Sequence, residues 1–179
     1  MDFHRLEQLE QRLNVLEASE SIRNLIGRYA TAADQKNHPV LMQPLFHENA
    51  VWCAQGFGEY VGRENIIQAL SSIAKEQVLW SLHVMGQADI EIASDAKTAT
   101  ARWVLWELST LASSEQTQVQ SQFPSECDQP HKAPTQDHWL GGFYETSLSP
   151  DATGTWHFDR VRLNLTLNSP YAEGFQRLN

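Results

Sequence analysis

Cysteine is scarce in this chain of 179 residues: Cys53 and Cys127 stand alone, without metal-ligand spacing, and two free thiols fit a reducing compartment. Basic residues are also few. Thirteen Lys and Arg against 22 Asp and Glu leave a net charge of −9, the wrong sign for a nucleic-acid footprint. No apolar run approaches the ~18 residues that a membrane span needs. The opening MDFHRLEQLEQRLNVLEASE is polar and helical where a signal peptide would be apolar. A glycine-rich phosphate loop is missing, and the seven His lack paired ligand spacing, so neither nucleotide nor metal is signalled. The expectation is a cytoplasmic protein with no cofactor and no nucleic-acid or membrane partner.

What is present suits one domain over 1–179. The length allows a sizeable core but not two comfortable ones. A hydrophobic fraction of 41% and a charged fraction of 20% are ordinary, whereas six Trp is a heavy load that suggests a pocket or an interface.

Helices come first. Leu6, Leu9, Leu13 and Leu16 follow a seam rhythm, predicting a leader helix over 1–18 that packs on its own domain or on a sister subunit. In Ser19–Asn37 the residues Ile22, Leu25, Ile26 and Tyr29 form one apolar helical face, followed by Ala30, Ala32, Ala33 and the carboxylate of Asp34. That helix should stop by Asn37, because His38 precedes Pro39. A carboxylate at a helix C-terminus opposes the macrodipole and needs compensation, for which a histidine is suited. A short helix broken by Pro44, a strand-turn-strand over Glu48–Val61 and a third helix from Gly62 to about Lys75 come next.

Strands dominate the remainder. Leu79–Ala93 and Thr98–Thr110 read as a hairpin, and His138–Ser147 and Thr155–Leu167 as a closing pair. Between them 111–137 is a long polar loop insertion, a place for exposed residues such as His131 and His138. Helices followed by antiparallel strands predict an α+β domain with its helices on one face of a curved sheet.

The residues that could carry chemistry are Asp34 and His83. Abstracting a proton from carbon needs a base with a pKa near the working pH, which imidazole supplies at about 6.5. A carboxylate bonded to one ring nitrogen fixes the tautomer and steadies the imidazolium that forms. A second acid would help a leaving group depart or hold an enolate oxygen.

The layout also carries a resemblance. An I-x-x-L-I-x-x-Y run before the carboxylate, F-x-E-x-A-V-W at 46–52, Y-x-G-R-E-x-I at 60–66, the pair Leu82-His83, and GGFYE with GTWHFDRVRL near the end are similar to the nuclear transport factor 2-like superfamily and its SnoaL-like group. The similarity covers about 17–175. It implies a cone-shaped, curved antiparallel sheet with three N-terminal helices packed on its concave side, enclosing a cavity. Catalytic members include scytalone and bile-acid dehydratases, hexachlorocyclohexane dehydrochlorinase, ketosteroid isomerase and polyketide cyclases. The resemblance implies Asp34 and His83 as the catalytic pair, joined by Tyr29, by Glu107 on the next strand, and by Arg162, or Arg160 on the same face, from the last strand. Trp52, Trp103, Leu105 and Tyr144 are then expected to contact a small hydrophobic, aromatic or steroid-like substrate. Of the other tryptophans, Trp106, Trp139 and Trp156 suit the core or a subunit contact. Tyr29 and Asp34, five residues apart, fall on different sides of a regular helix, so both reach one cavity only if the last turn loosens. The implied activity is that of a cofactor-independent lyase or isomerase in a homodimer or homotrimer. The alternative is a non-catalytic ligand-binding or oligomerisation module.

Overall fold

A computed structural model describes residues 3–113 and 135–175. Cys127, His131 and most of the 111–137 segment lie outside them.

The first helix, α1 (Phe3–Asp34), is one continuous rod. The leader and the helix that carries Asp34 are thus a single element, because nothing between them breaks the hydrogen-bond ladder. Its two halves differ in burial. Leu6, Leu9, Leu13 and Leu16 are 42 to 66% exposed, so the leader's seam is not packed on its own domain. From Ala18 onward Ile22, Leu25, Ile26, Tyr29, Ala32 and Ala33 are buried at helical spacing. The rod ends where Lys36 and Asn37 take left-handed φ values of 63° and 50° ahead of Pro39. Asn37 then ties this corner down: its side chain donates to the Leu70 carbonyl at 3.0 Å, and its carbonyl accepts from the Ser71 hydroxyl at 2.8 Å.

A short helix α2 (Pro39–Met42) and a single 3-10 turn containing Pro44 lead into β1 (Phe46–Ala54) and β2 (Gly58–Val61). Helix α3 (Arg63–Glu76) follows, burying Ile66, Leu70, Ile73 and Ala74. The predicted strand at 79–93 is two elements, β3 (Val78–Met85) and β4 (Asp89–Ile92), which pair with successive stretches of β5 (Ala99–Ala112). Strands β6 (Thr135–Pro150) and β7 (Trp156–Pro170) are the longest. Both ends of the predicted loop insertion therefore belong to β5 and β6. His138, expected in solvent, is a half-buried β6 residue hydrogen-bonded to Asn168 at 2.8 Å.

The sheet runs β2-β1-β7-β6-β5-β3, with β4 also on β5. It is a curved, open sheet with the helices packed against it, as the α+β reading expects. Its β1–β7 pairing is parallel, and the others are antiparallel. Curvature is built into β7 by two extra residues. Gly141 and Gly142 face Leu167 and Leu165, leaving Thr166 over; Ser147 and Leu148 face Arg160 and Phe158, leaving Asp159 over. Each such bulge bends the strand and raises its twist.

The inner face is aromatic. Tyr29 meets Tyr144, Phe158 and Phe46 edge-to-face at centroid distances of 5.7 to 6.2 Å. Trp103 stacks on Tyr144 at 5.1 Å. The outer face is apolar too: Trp80, Leu82, Val84, Val104 and Trp106 are 42 to 57% exposed. No helix among the described residues is long and apolar enough to cross a membrane.

Candidate active site

Strand alternation places Ser81, His83 and Met85 of β3 inward while Trp80, Leu82 and Val84 face out. On β5 the inward set is Trp103, Leu105, Glu107 and Ser109. The antiparallel register sets His83 directly opposite Glu107, and Ser81 opposite Ser109. The last turn of α1 crosses β3 here and delivers Asp34.

Asp34 accepts from His83 three times. The ring Nδ1–H donates to Oδ1 at 2.7 Å, and the His83 backbone N–H reaches Oδ1 and Oδ2 at 3.0 and 3.3 Å. Ser81 donates to Oδ1 at 3.4 Å. These donors compensate the carboxylate's unfavourable place at the helix end. On the other side of the ring, His83 Nε2 lies 3.3 Å from Glu107 Oε2. Glu107 is buried, and its other oxygen accepts a short hydrogen bond from the Ser109 hydroxyl.

An imidazole between two carboxylates favours its charged form. Burial by itself would lower the His83 pKa, but the Asp34 hydrogen bond and the charges of Glu107 and Asp34 outweigh it and hold the group above the usual imidazole value. The phenols respond in the opposite sense. Burial pushes Tyr29 up to about 12, against hydrogen bonds from Trp52 and Tyr144 that lower it, with Glu107 adding to the rise. Burial, with Tyr29 and Glu107 beside it, also takes Tyr144 well above its ordinary value. Both phenols stay protonated at neutral pH and are hydrogen-bond donors. Trp52 Nε1–H donates to the Tyr29 oxygen at 2.9 Å, which leaves the Tyr29 proton available.

These groups border a cavity of about 70 Å³. Tyr29, Trp52, Ser81, His83, Glu107 and Tyr144 are in its wall, and Phe57, Leu140 and Leu163 supply apolar cover. Asp34 is not in the wall. It sits behind His83, so α1 needs no loosened turn: Tyr29 faces the cavity while Asp34 faces β3. Trp103 and Leu105, expected against substrate, are buried in the core behind the wall; Trp103 backs Tyr144 and donates to the Met85 sulfur at 3.1 Å. Arg162 is exposed on the outer face, and Arg160 pairs there with Glu59 at 3.3 Å. Counting by twos from the buried Trp156 and Phe158 would turn both arginines inward, but the extra residue Asp159 reverses the alternation, so Val161 and Leu163 face in instead. Ser81 and Ser109 were not anticipated. Each is two residues from a site residue on its own strand, and that period was the available signal. Among the described residues, no group of three or more His, Cys, Asp or Glu is placed to hold a metal.

Residues 14–162 match the family model of the SnoaL-like domain. The chain belongs to that family. A search of curated proteins finds no significant match. Solved structures place this SnoaL-like chain beside the hexachlorocyclohexane dehydrochlorinase LinA-type3 of Novosphingobium barchaimii LL02, at TM-score 0.71 and 16% identity, covering 94% of this chain and 99% of that one. A candidate scytalone dehydratase from Novosphingobium aromaticivorans DSM 12444 follows at 0.65 and 21%, covering 93% and 94%. A nuclear transport factor 2-like protein of Salmonella enterica serovar Typhimurium LT2 follows at 0.64 and 13%, covering 83% and 91%. At such identities the likeness shows the fold, and function has to be argued from the site.

Proposed function

We propose that this SnoaL-like protein is a cofactor-independent lyase or isomerase that moves a proton on a small, uncharged, largely apolar ring compound. The observation that carries the reading is the His83 ring held at Nδ1 by Asp34 at 2.7 Å and facing Glu107 across Nε2 at 3.3 Å, at the wall of a cavity. With Nδ1–H committed to Asp34, Nε2 is the nitrogen that exchanges protons. The neutral ring accepts a proton from substrate carbon and becomes an imidazolium between two carboxylates, the charge state its surroundings favour. In an elimination the electron pair of the broken C–H bond forms the new double bond and the leaving group departs with its own pair. A departing hydroxide takes the Nε2 proton and leaves as water; a departing halide leaves the proton to pass to solvent. In an isomerisation Nε2 returns the proton to another carbon. Tyr29, which accepts from Trp52 and Tyr144, donates its own proton to a substrate oxygen on which charge develops, and Glu107 keeps Nε2 aimed and shares its proton. No step calls on a metal or a nucleotide.

The test is solvent exchange. Incubated in D2O with neutral cyclic ketones, alcohols and halides, the wild-type protein is expected to exchange or eliminate at a carbon next to the activating group. His83→Ala is expected to lower that rate by about 10²- to 10⁴-fold. Equal rates in wild type and variant would exclude His83. The tight inner cavity favours one second reading, a module that binds a hydrophobic ligand unchanged. That reading expects ligand affinity with no exchange in either protein.

The apolar outer face is proposed to join copies of this chain as a homodimer or homotrimer, since so large an exposed patch marks an interaction surface. Val104→Lys combined with Trp106→Glu is expected to give a monomer by sedimentation velocity. A wild-type protein that is already monomeric would exclude the assembly.

A further inference from the structure

Beside the inner cavity lies a second hollow of about 620 Å³, where the β1–β2 turn, the end of α3 and the ends of β5 and β7 meet. Gln55, Phe57, Glu76, Gln77, Val78 and Asn168 border it, and Phe57 and Val78 border the inner cavity as well. These two side chains therefore stand at the junction. Phe57 lies between Gly56 and Gly58, whose φ values of 83° and 101° belong to glycine, and a Cβ added at Gly56 would meet nothing within 4 Å. The Phe57 side chain is half-buried against the core, and its turn is tied down by its own N–H to the Ala54 carbonyl and by the Tyr60 hydroxyl donating to the Phe57 carbonyl.

The two volumes impose a division of labour. The inner space, at about 70 Å³, is half of the ~150 Å³ that holds benzene in an engineered protein cavity. It takes one edge of a ring or a few heavy atoms. The outer hollow falls within the ~300–1,000 Å³ of ordinary ligand pockets. Its polar side chains are three carboxamides and the Ser113 hydroxyl, which donate and accept, and the Glu76 carboxylate, which only accepts. Among the described residues, the only cationic side chain bordering either hollow is His83, which already lies between two carboxylates. Among the described residues the Lys36 ammonium is tied behind the wall to the Ala74 and Val78 carbonyls, each at 3.5 Å, so a carboxylate or phosphate on a ligand in the outer hollow would meet the like charge of Glu76 and no cation in the lining.

We propose that the outer hollow is a binding subsite for the uncharged, hydroxyl-bearing bulk of an elongated ligand, and that Phe57 sets the width of the edge that passes inward to His83. The inference rests on the proton-transfer reading only for which end of the ligand reacts; filling the outer hollow requires no catalysis.

Calorimetry on the full chain tests it with four probes: phenol, 4-hydroxybiphenyl, 9-phenanthrol and 4′-hydroxybiphenyl-4-carboxylate. Wild type is expected to bind 4-hydroxybiphenyl about tenfold more tightly than phenol, and about tenfold more tightly than its carboxylate analogue. Phe57→Ala should improve binding of the broad 9-phenanthrol about fivefold relative to the narrow 4-hydroxybiphenyl, and Glu76→Gln should recover about fivefold for the carboxylate probe. The proposal is overturned if 4-hydroxybiphenyl binds no better than phenol. It is equally overturned if either variant, folded by circular dichroism, keeps the wild-type ratio. His83→Ala separates the two claims. Loss of exchange with unchanged probe ratios supports both, whereas retained exchange sinks the proton-transfer role and leaves the subsite standing.

Discussion

Asp34→Asn is expected to lower kcat for the exchange or elimination reaction by about 10³- to 10⁴-fold while the protein still folds. The estimate follows the effect of the same change in the hydrolase triad, where an amide in place of the carboxylate selects the wrong tautomer. In this SnoaL-like site an Asn oxygen in the place of Oδ2 can still accept from the His83 backbone N–H, which Asp34 Oδ2 now holds at 3.3 Å, while the amide nitrogen takes the place of Oδ1, 2.7 Å from Nδ1. The amide would then face Nδ1 as a donor, turning that ring nitrogen into an acceptor and moving the ring proton to Nε2. The nitrogen that should receive a proton would already carry one. Losing one charged hydrogen bond in a part-buried place should reduce stability by about 1–3 kcal/mol.

The pH dependence changes with it. Because the folded His83 pKa is raised, the ring contributes stability that is complete below the unfolded value near 6.5 and is lost as pH climbs through the folded value. Wild-type Tm should therefore fall above about pH 6.5. The base form accumulates over the same interval, so kcat/KM should rise there. In Asp34→Asn both transitions should move to lower pH, leaving Glu107 as the one carboxylate still holding the proton. Profiles that coincide in the two proteins would show that Asp34 does not tune the ring.

Gly142→Ala should be the most damaging change in the scaffold, costing about 3 kcal/mol or more and lowering Tm by roughly 6–12 °C. A Cβ at this position would fall 2.1 Å from the Asn164 carbonyl oxygen and 2.9 Å from the Leu165 Cα, both backbone atoms of β7. No side-chain rotation relieves such a clash. The β7 backbone must move at its Thr166 bulge, next to the Leu163 segment that walls the cavity. Gly141→Ala is the control: its Cβ would meet the Leu167 side chain and the Leu105 carbonyl at 3.5 and 3.6 Å, ordinary contacts. Thermal unfolding that placed the two variants within about 2 °C of each other would remove the steric argument.

Much of this was legible in the letters. The apolar period of α1 and the Pro39 stop located Asp34 at the helix end, and alternation located the strands. The inward placement of Glu107 was not legible, because Val104 and Trp106 on the outer face are as apolar as Trp103 and Leu105 within. A face meant for contact and a face meant for the core have the same hydropathy. Arg162 was misplaced because an inserted residue in β7 leaves no compositional mark, and parity carried across it inverts. The narrowness of the inner cavity depends on how Trp52, Phe57 and Tyr144 meet in space, which no single segment records.

The surplus residue at Asp159 separates the bend of the last strand from the make-up of its lining. Deleting it would set Phe158, Arg160 and Val161 in plain alternation, so Val161 and Leu163 would still face the hollow and both arginines solvent, while the local bend and added twist would be lost. In a scaffold of this kind an indel in the last strand can reshape the hollow without changing the chemistry of its wall.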